Sequence, residues 1–325
     1  MGDFVKKRWI SLCVCILILA SFLTGCGMNT RKIKFGAAGL GGTYRVFGDT
    51  FANLVTSKNK KYSMEVKTTA GSAANLRLLS DGYIQMAIAQ MDLTNDAYER
   101  TGIFENEKKH GGYSAVAALY TEACQIVVRA DSGINTIEDL QDKRVSVGEE
   151  ESGTEQNAKQ ILAVYGLNDS LVDEVNLDYT NAAQELKAGT IDAFFCTAGA
   201  QTTAIGELAK KCDIRLLNID EKSADKLKRT YKFYTDCTIP KETYQGQTKD
   251  IHTVGVKAVL LASDKLSADT VKDITKILFK NKEELQYSLP VDISIDEKTA
   301  VEGVTIPFHE GAAAYYEECG INIAD

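Results

Sequence analysis

The stretch Arg144 to Tyr165, RVSVGEEESGTEQNAKQILAVY, decides the fold class, because its apolar period changes in the middle. Arg144, Val145, Ser146, Val147 and Gly148 have the pattern of a short buried strand, whereas Ala158, Ile161, Leu162 and Tyr165 recur at helical spacing. A strand that ends in glycine, crosses an acidic loop and opens a helix presents free backbone amides at its turn. Ser152 or Thr154 can accept from the first of those amides, and Gly153 admits close approach of another group. The positive end of the helix favours a carboxylate there. The same residues would also serve an ordinary capped helix with no ligand.

Ile33 to Val55, IKFGAAGLGGTYRVFGDTFANLV, repeats the unit: Ile33 and Phe35 lead into a glycine-rich turn, and Phe47, Phe51, Leu54 and Val55 mark one helical face. The turn lacks the Lys-Ser/Thr ending of a phosphate loop and fits G-x-G-x-x-G poorly, which argues against a nucleotide. Further strand-to-helix units follow. Tyr62, Met64 and Val66 run into Thr68 to Asn75, with Ser72 as the expected helix cap and Gly82 as the stop. Ile84, Met86 and Ile88 end at Gln90 and Asp92, where open parallel sheets present ligand groups. Asp92 could equally cap a loop.

Ala115 to Arg129 reads as an apolar crossover into a second domain, and Thr136 to Leu140 as a short capped helix. In that domain Val175 to Tyr179 reads as strand, Asn181 and Gln184 as a capping box, and Ile191 to Phe195 as strand ending at Cys196 to Gln201. Ile214 to Ile219 adds a strand. Tyr231 to Pro240 and Thr253 to Ala262 form the return path, the first an extended connector and the second a buried strand. Ser267 opens a helix through Leu278 with Pro290 beyond it, and Phe308 to Glu318 is a closing helix that ends at Gly320.

The composition is that of a globular chain: 325 residues, 44% hydrophobic and 25% charged, long enough for two domains. A formal charge of -8 argues against nucleic acid as a partner. Lys6, Lys7 and Arg8 precede the apolar stretch Trp9 to Leu23, too short to span a bilayer, and small residues lead to Cys26, so residues 1–25 read as a signal peptide. The ending Leu23-Thr24-Gly25-Cys26 resembles a bacterial lipobox. That resemblance implies cleavage before Cys26, lipidation of its thiol and a tether over residues 26–32, with the protein anchored to the outer face of the cytoplasmic membrane.

Beyond the leader and Cys26, the cysteines are Cys124, Cys196, Cys212, Cys237 and Cys319. No C-x-x-C occurs and the three histidines lack ligand spacing, so no zinc or redox centre and no cofactor is expected. Most of these thiols read as small core residues, with a Cys124–Cys237 bridge as the alternative. No Ser/His/Asp or Cys/His constellation stands out; an enzyme reading would have to use Asp92 and Glu155 as a carboxylate pair.

Taken together, GLGGTYRVFG at 39–48, AGSAANLRLLSDG at 70–82, MAIAQMD at 86–92, LYTEACQIVVRADSGINTIEDLQDKRVSVG at 119–148, SGTE at 152–155, AGTIDAFFCTAG at 188–199 and ITKILFKN at 274–281 resemble the TAXI family of solute receptors. These serve TRAP-type transporters. The resemblance spans Ile33 to Gly320. It implies an α/β type II periplasmic-binding-protein fold with two lobes, each a mostly parallel sheet flanked by helices, joined by two crossovers. Lobe I would hold residues 33–125 and 241–325, and lobe II residues 126–240. The expected partners are a small organic anion or amino acid, glutamate- or glutamine-like or a C4–C5 dicarboxylate, and the membrane subunits of a TRAP system, for a monomeric receptor without enzymatic activity.

Carried over by position, the family's motifs place Gly42, Thr43, Tyr44, Gly71, Ser72, Asn75, Gln90 and Asp92 on the first lobe's cleft edge. Ser152, Gly153, Thr154, Glu155, Thr197 and Gly199 stand on the second. Asn75 and Glu155 could equally be helix caps. The chain departs from the family in having Arg45 and Val46 where a tyrosine and a proline are usual, in its acidic run Glu149 to Glu151, and in lacking prolines after DAFF. Arg45 is either a solvated charge or a fork that grips a ligand carboxylate, with the acidic run receiving an ammonium group or pairing with Arg45. An importer of the ABC type and a surface lipoprotein without transport are the rival settings.

Overall fold

The computed structural model describes residues 30–289 and 294–323. The leader, Cys26 and Pro290 lie outside them. The fold is α/β, and one curled mixed sheet runs through it in the order β2-β1-β3-β10-β4-β7-β5-β6. Its strands are β1 (Arg31–Gly36), β2 (Tyr62–Lys67), β3 (Met86–Gln90), β4 (Tyr113–Arg129), β5 (Arg144–Ser146), β6 (Asp173–Val175), β7 (Ala193–Ala198), β8 (Ile214–Leu216), β9 (Thr235–Ile239) and β10 (Ile251–Ser263). β1 pairs parallel with β2 and β3, and β5 pairs parallel with β6 and β7. Between these parallel ends the long strands β4 and β10 run antiparallel to each other and to their neighbours β3, β7, β8 and β9.

Alternation along these strands builds a core on both faces. Met86 and Ile88 of β3 join Ile33, Phe35, Val116 and Leu260 in one cluster, while Ala87 and Ala89 turn to the other face with Ala115, Val259 and Leu261. The first cluster is covered by α1 (Thr43–Lys58), α8 (Ala268–Lys280), α9 (Lys282–Ser288) and α10 (Glu310–Glu318). The second is covered by α2 (Ser72–Ser80) and α3 (Met91–Glu99). Beyond the midpoint of β4 the pattern repeats. Ile126, Val128, Val145 and Phe195 pack under α4 (Gly153–Val164) and α7 (Glu221–Thr230), and Val127, Phe194 and Cys196 under α5 (Tyr179–Ala188) and α6 (Thr203–Ala209). Two double-sided cores along one sheet make the two lobes. Ile251, Val254 and Val256 belong to the second pair of cores and Ala258 to Ala262 to the first, so the chain returns between lobes within β10.

Several local expectations shift. β1 begins at Arg31, which pairs with Tyr62 while its guanidinium reaches Ser267 and Thr270. The first turn of α2 is capped by Gly71, not Ser72, whose hydroxyl accepts from the Gln90 amide. Gln90 caps α3, which opens at Met91, so Asp92 sits in the first turn of a helix and caps no loop. Thr136 to Leu140 gives only a 3-10 turn over Glu138–Leu140. In α5 the cap is Asp178, whose carboxylate accepts from Thr180 and Asn181, so the helix starts at Tyr179 and the expected strand over Val175 to Tyr179 stops short. The connector before β10 contains strand β9, and α10 begins after the His309 cap. The five described cysteines are free: Cys124 accepts a hydrogen bond from the Thr197 hydroxyl at 3.6 Å, and Cys237 pairs with Thr253 in the ladder, so the Cys124–Cys237 bridge is not formed.

Candidate functional site

A cleft lies between the lobes. Lobe I supplies Ala38, Gly39, Leu40, Gly42, Thr43 and Tyr44 from the β1–α1 turn, Ala70, Gly71 and Ser72 from the β2–α2 turn, and Gln90 from the end of β3. Lobe II supplies Glu149, Ser152, Gly153 and Thr154 before and in α4, Asp178 and Tyr179 at the start of α5, and Thr197 and Ala198 at the end of β7. Glu122, in the middle of β4, completes the lining where the lobes join. Every contribution but Glu122 comes from a strand's carboxyl end or the turn after it, as expected for open α/β sheets.

Backbone conformation explains the loops. Gly71 has a φ of 124°, a value that side chains other than glycine rarely adopt, and a Cβ there would lie 3.5 Å from the Ser152 Cα of the other lobe. Ser152 caps α4 by accepting from the Glu155 amide at 3.0 Å, and the Glu155 carboxylate accepts in return from the Glu151 amide at 2.9 Å. This reciprocal cap leaves the amides of Gly153 and Thr154 directed out of the helix start. Behind them the Thr154 hydroxyl bonds the Tyr179 hydroxyl and accepts from the Thr197 amide at 3.2 Å, while Tyr179 donates to the Thr197 carbonyl at 3.0 Å. The α4 start, the α5 start and β7 are thereby fixed to one another.

The lobes are closed on each other. The Ala73 and Ala74 amides, at the start of α2, donate to the Glu151 carbonyl at 3.1 and 3.2 Å, and Arg77 meets the Glu151 carboxylate at 3.2 Å. On the other rim the Ala204 amide donates to the Gly41 carbonyl at 3.2 Å and the Thr180 hydroxyl to the Leu40 carbonyl at 3.2 Å. A Cβ on Gly153 would stand 2.3 Å from Gln90 Oε1.

The charge in the cleft is one-sided. Glu122 is 2% exposed and accepts from the Tyr44 hydroxyl at 2.6 Å. Burial pushes its carboxyl up to about 8, against the lowering effect of hydrogen bonds from Tyr44 and Gln90. Burial and the charge of Asp178 push Glu149 up to about 7. Gln90 Oε1 and Thr43 Oγ1 are buried without a hydrogen-bond partner. Among the described residues no group of three His, Cys, Asp or Glu side chains is arranged to hold a metal ion.

Of the residues expected at the site, Gly42, Thr43, Tyr44, Gly71, Ser72, Gln90, Ser152, Gly153, Thr154 and Thr197 line the cleft together. Five do not. Arg45 donates to Asp49 at 2.7 Å and to Thr68 at 2.8 Å, and Asn75 donates to the carbonyls of Ala37 and Ile88 behind the first turn. Asp92 accepts from Asn157 at 3.4 Å, Glu155 serves the α4 cap and pairs with Lys159, and the Gly199 carbonyl accepts from Thr202. The sequence reading missed Ala38, Gly39, Leu40, Ala70, Glu122, Asp178, Tyr179 and Ala198 and placed Glu149 only as part of an acidic run. For Glu122 the signal was present: it is the one acidic residue in the apolar strand Tyr113–Arg129.

Comparison with solved structures finds chains of similar fold. A protein from Bordetella bronchiseptica RB50 is similar at TM-score 0.53 and 16% identity, over 90% of this chain and 83% of that one. A putative L-cystine ABC transporter protein from Listeria monocytogenes is similar at TM-score 0.51 and 14% identity, over 80% and 94%. The alkanesulfonate-binding protein of Xanthomonas axonopodis pv. citri, bound to MOPS, is similar at TM-score 0.48 and 15% identity, over 79% and 77%. The fold is that of the type II periplasmic binding proteins. A family model matches residues 35–320, from β1 to the end of α10, and the chain accordingly belongs to the NMT1-like family.

Proposed function

We propose that the protein is an extracytoplasmic solute receptor, tethered by a lipid on Cys26, that captures a small organic anion or amino acid between its two lobes, which meet along β4 and β10. The observation that carries this reading is the cleft itself: helix starts and strand ends of both lobes converge on it, and its amides, hydroxyls and carboxylates belong to two bodies linked through β4 and β10. Gly42, Thr43, Tyr44, Gly71, Ser72, Gln90, Ser152, Gly153, Thr154 and Thr197 are the contacts; Asn75, Asp92 and Glu155 brace them. The ligand is a glutamate- or glutamine-like amino acid or a C4–C5 dicarboxylate, and the partners are the membrane subunits of a TRAP-type transporter of the TAXI class.

The likeness to a putative L-cystine ABC transporter protein favours an ABC importer as the second reading. Proteoliposome uptake separates the two, since a TRAP system runs on an ion gradient and an ABC importer on ATP. The receptor reading is tested by thermal shift: a solute that binds only the folded state adds about 2.7 kcal/mol at 100 times its dissociation constant. A library of organic acids and amino acids that leaves the melting temperature unchanged counts against it, and turnover of any of them would make the protein an enzyme. Labelled-lipid incorporation that survives Cys26→Ala would remove the anchor.

A further inference from the structure

Three carboxylates, Glu122, Glu149 and Asp178, line the cleft, and among the described residues no lysine, arginine or histidine does. They are not equivalent. Glu122 is tied to Tyr44, and Asp178 is committed to the α5 cap. The Glu149 carboxylate has no hydrogen-bond or ion-pair partner among the described residues, although it is half-buried and has Asp178 beside it. Both flank Gly39, where a Cβ would lie 2.7 Å from Glu149 Oε2 and 3.5 Å from Asp178 Cβ. A half-buried carboxylate next to a second one is costly unless a cation joins it.

Two further groups of the same lining lack partners. Gln90 and Thr43 are each 2% exposed, and Gln90 Oε1 and Thr43 Oγ1 bond nothing. An acceptor buried this way calls for a donor on the ligand. For an anionic group the lining offers the α4 amides, and no side-chain cation stands ready for a second one.

Resting on the receptor reading above, we propose that Glu149, backed by Asp178, is an ammonium subsite, and that the ligand is a zwitterion with one carboxylate and a neutral hydrogen-bonding side chain. Glutamine is the model compound. The carboxylate takes the amides of Gly153 and Thr154, the ammonium takes Glu149, and the side-chain amide donates to Gln90 Oε1. A dicarboxylate would set its second charge among acids.

Calorimetry on the mature protein with L-glutamine, L-asparagine, L-glutamate and glutarate tests this. The amides should bind about 10- to 100-fold more tightly than glutarate and more tightly than glutamate, and Glu149→Gln should remove about that factor for the amides. Glu150→Gln, at the exposed neighbour, should leave affinity unchanged and so exclude a general charge effect. Glutarate binding as tightly as the amides, or full affinity in Glu149→Gln at unchanged melting temperature, overturns the subsite and leaves the receptor reading in place. If none of the four probes binds, the proposed ligand falls, and the thermal-shift library then decides separately on the receptor.

Discussion

The Tyr44 hydroxyl donates to Glu122 Oε2 at 2.6 Å, joining the first turn of α1 to the middle of the strand that both lobes share. Buried and close to neutral pH in its titration, Glu122 couples the cleft to protons.

Stability should fall as pH rises through the range of that carboxyl. The folded protein holds the Glu122 proton up to about 8, whereas the unfolded chain releases it near 4.5, so the native state binds more protons between those values. This contribution is fully present below about 4.5 and is lost on the way to about 8. Glu149, raised to about 7, adds a smaller slope of the same sign. Glu122→Gln should flatten the dependence and stabilise the protein at pH 8 by on the order of 3 kcal/mol, read from urea denaturation at a series of pH values. An unchanged slope in the variant would refute the assignment.

Gly153→Ala should separate folding from closure. The position opens α4 with ordinary helical geometry, so alanine suits the helix, yet its Cβ would meet Gln90 Oε1 at 2.3 Å and Cδ at 2.4 Å across the cleft. The melting temperature should hold while the radius of gyration rises, because the lobes are kept apart, and ligand affinity should drop about tenfold or more. Scattering curves that superpose with wild type would count against closure through this contact.

Arg45→Ala should change binding by less than about 0.5 kcal/mol, because the guanidinium is spent on Asp49 and Thr68 outside the cleft lining. A loss of about 1.5–3 kcal/mol in calorimetry would instead mean that the side chain swings in to hold a ligand carboxylate.

Gly311→Ala should destabilise lobe I. A Cβ there would stand 2.1 Å from the Ala268 carbonyl oxygen and 2.8 Å from the Lys272 amide, backbone atoms of α8 that cannot rotate away. A cost on the order of 2–4 kcal/mol is expected in chemical denaturation, with ligand affinity at saturating folded fraction unchanged.

The sequence disclosed the units whose signals are local. The α4 start was legible because the Ser152 cap, which accepts from the Glu155 amide, needs only residues three apart, and the glycine turn before α1 because glycines cluster where lobe II comes close. Asp178 and Tyr179 escape the local pattern because Asp178 caps the helix three positions before Asn181, the first of the polar pair that the pattern favours. Arg45 could not be oriented from its chain neighbours, because the choice between Thr68 and the cleft depends on a residue 23 positions away. Glu122 stood out as the one acid in an apolar strand, but its partner did not, because the Tyr44 hydroxyl comes from 78 residues upstream.

The strands β4 and β10 also bind the two lobes to one folding fate. β4 gives its first part to β10 and its last part to β7, and β10 continues from β9 to β3. Excising either lobe would therefore sever β4 and β10 in mid-strand, leaving on each piece cut ends with unpaired amides and carbonyls open to pairing with a neighbouring molecule. The two lobes are thereby cooperative in assembly, and a half-chain should aggregate where the whole chain folds.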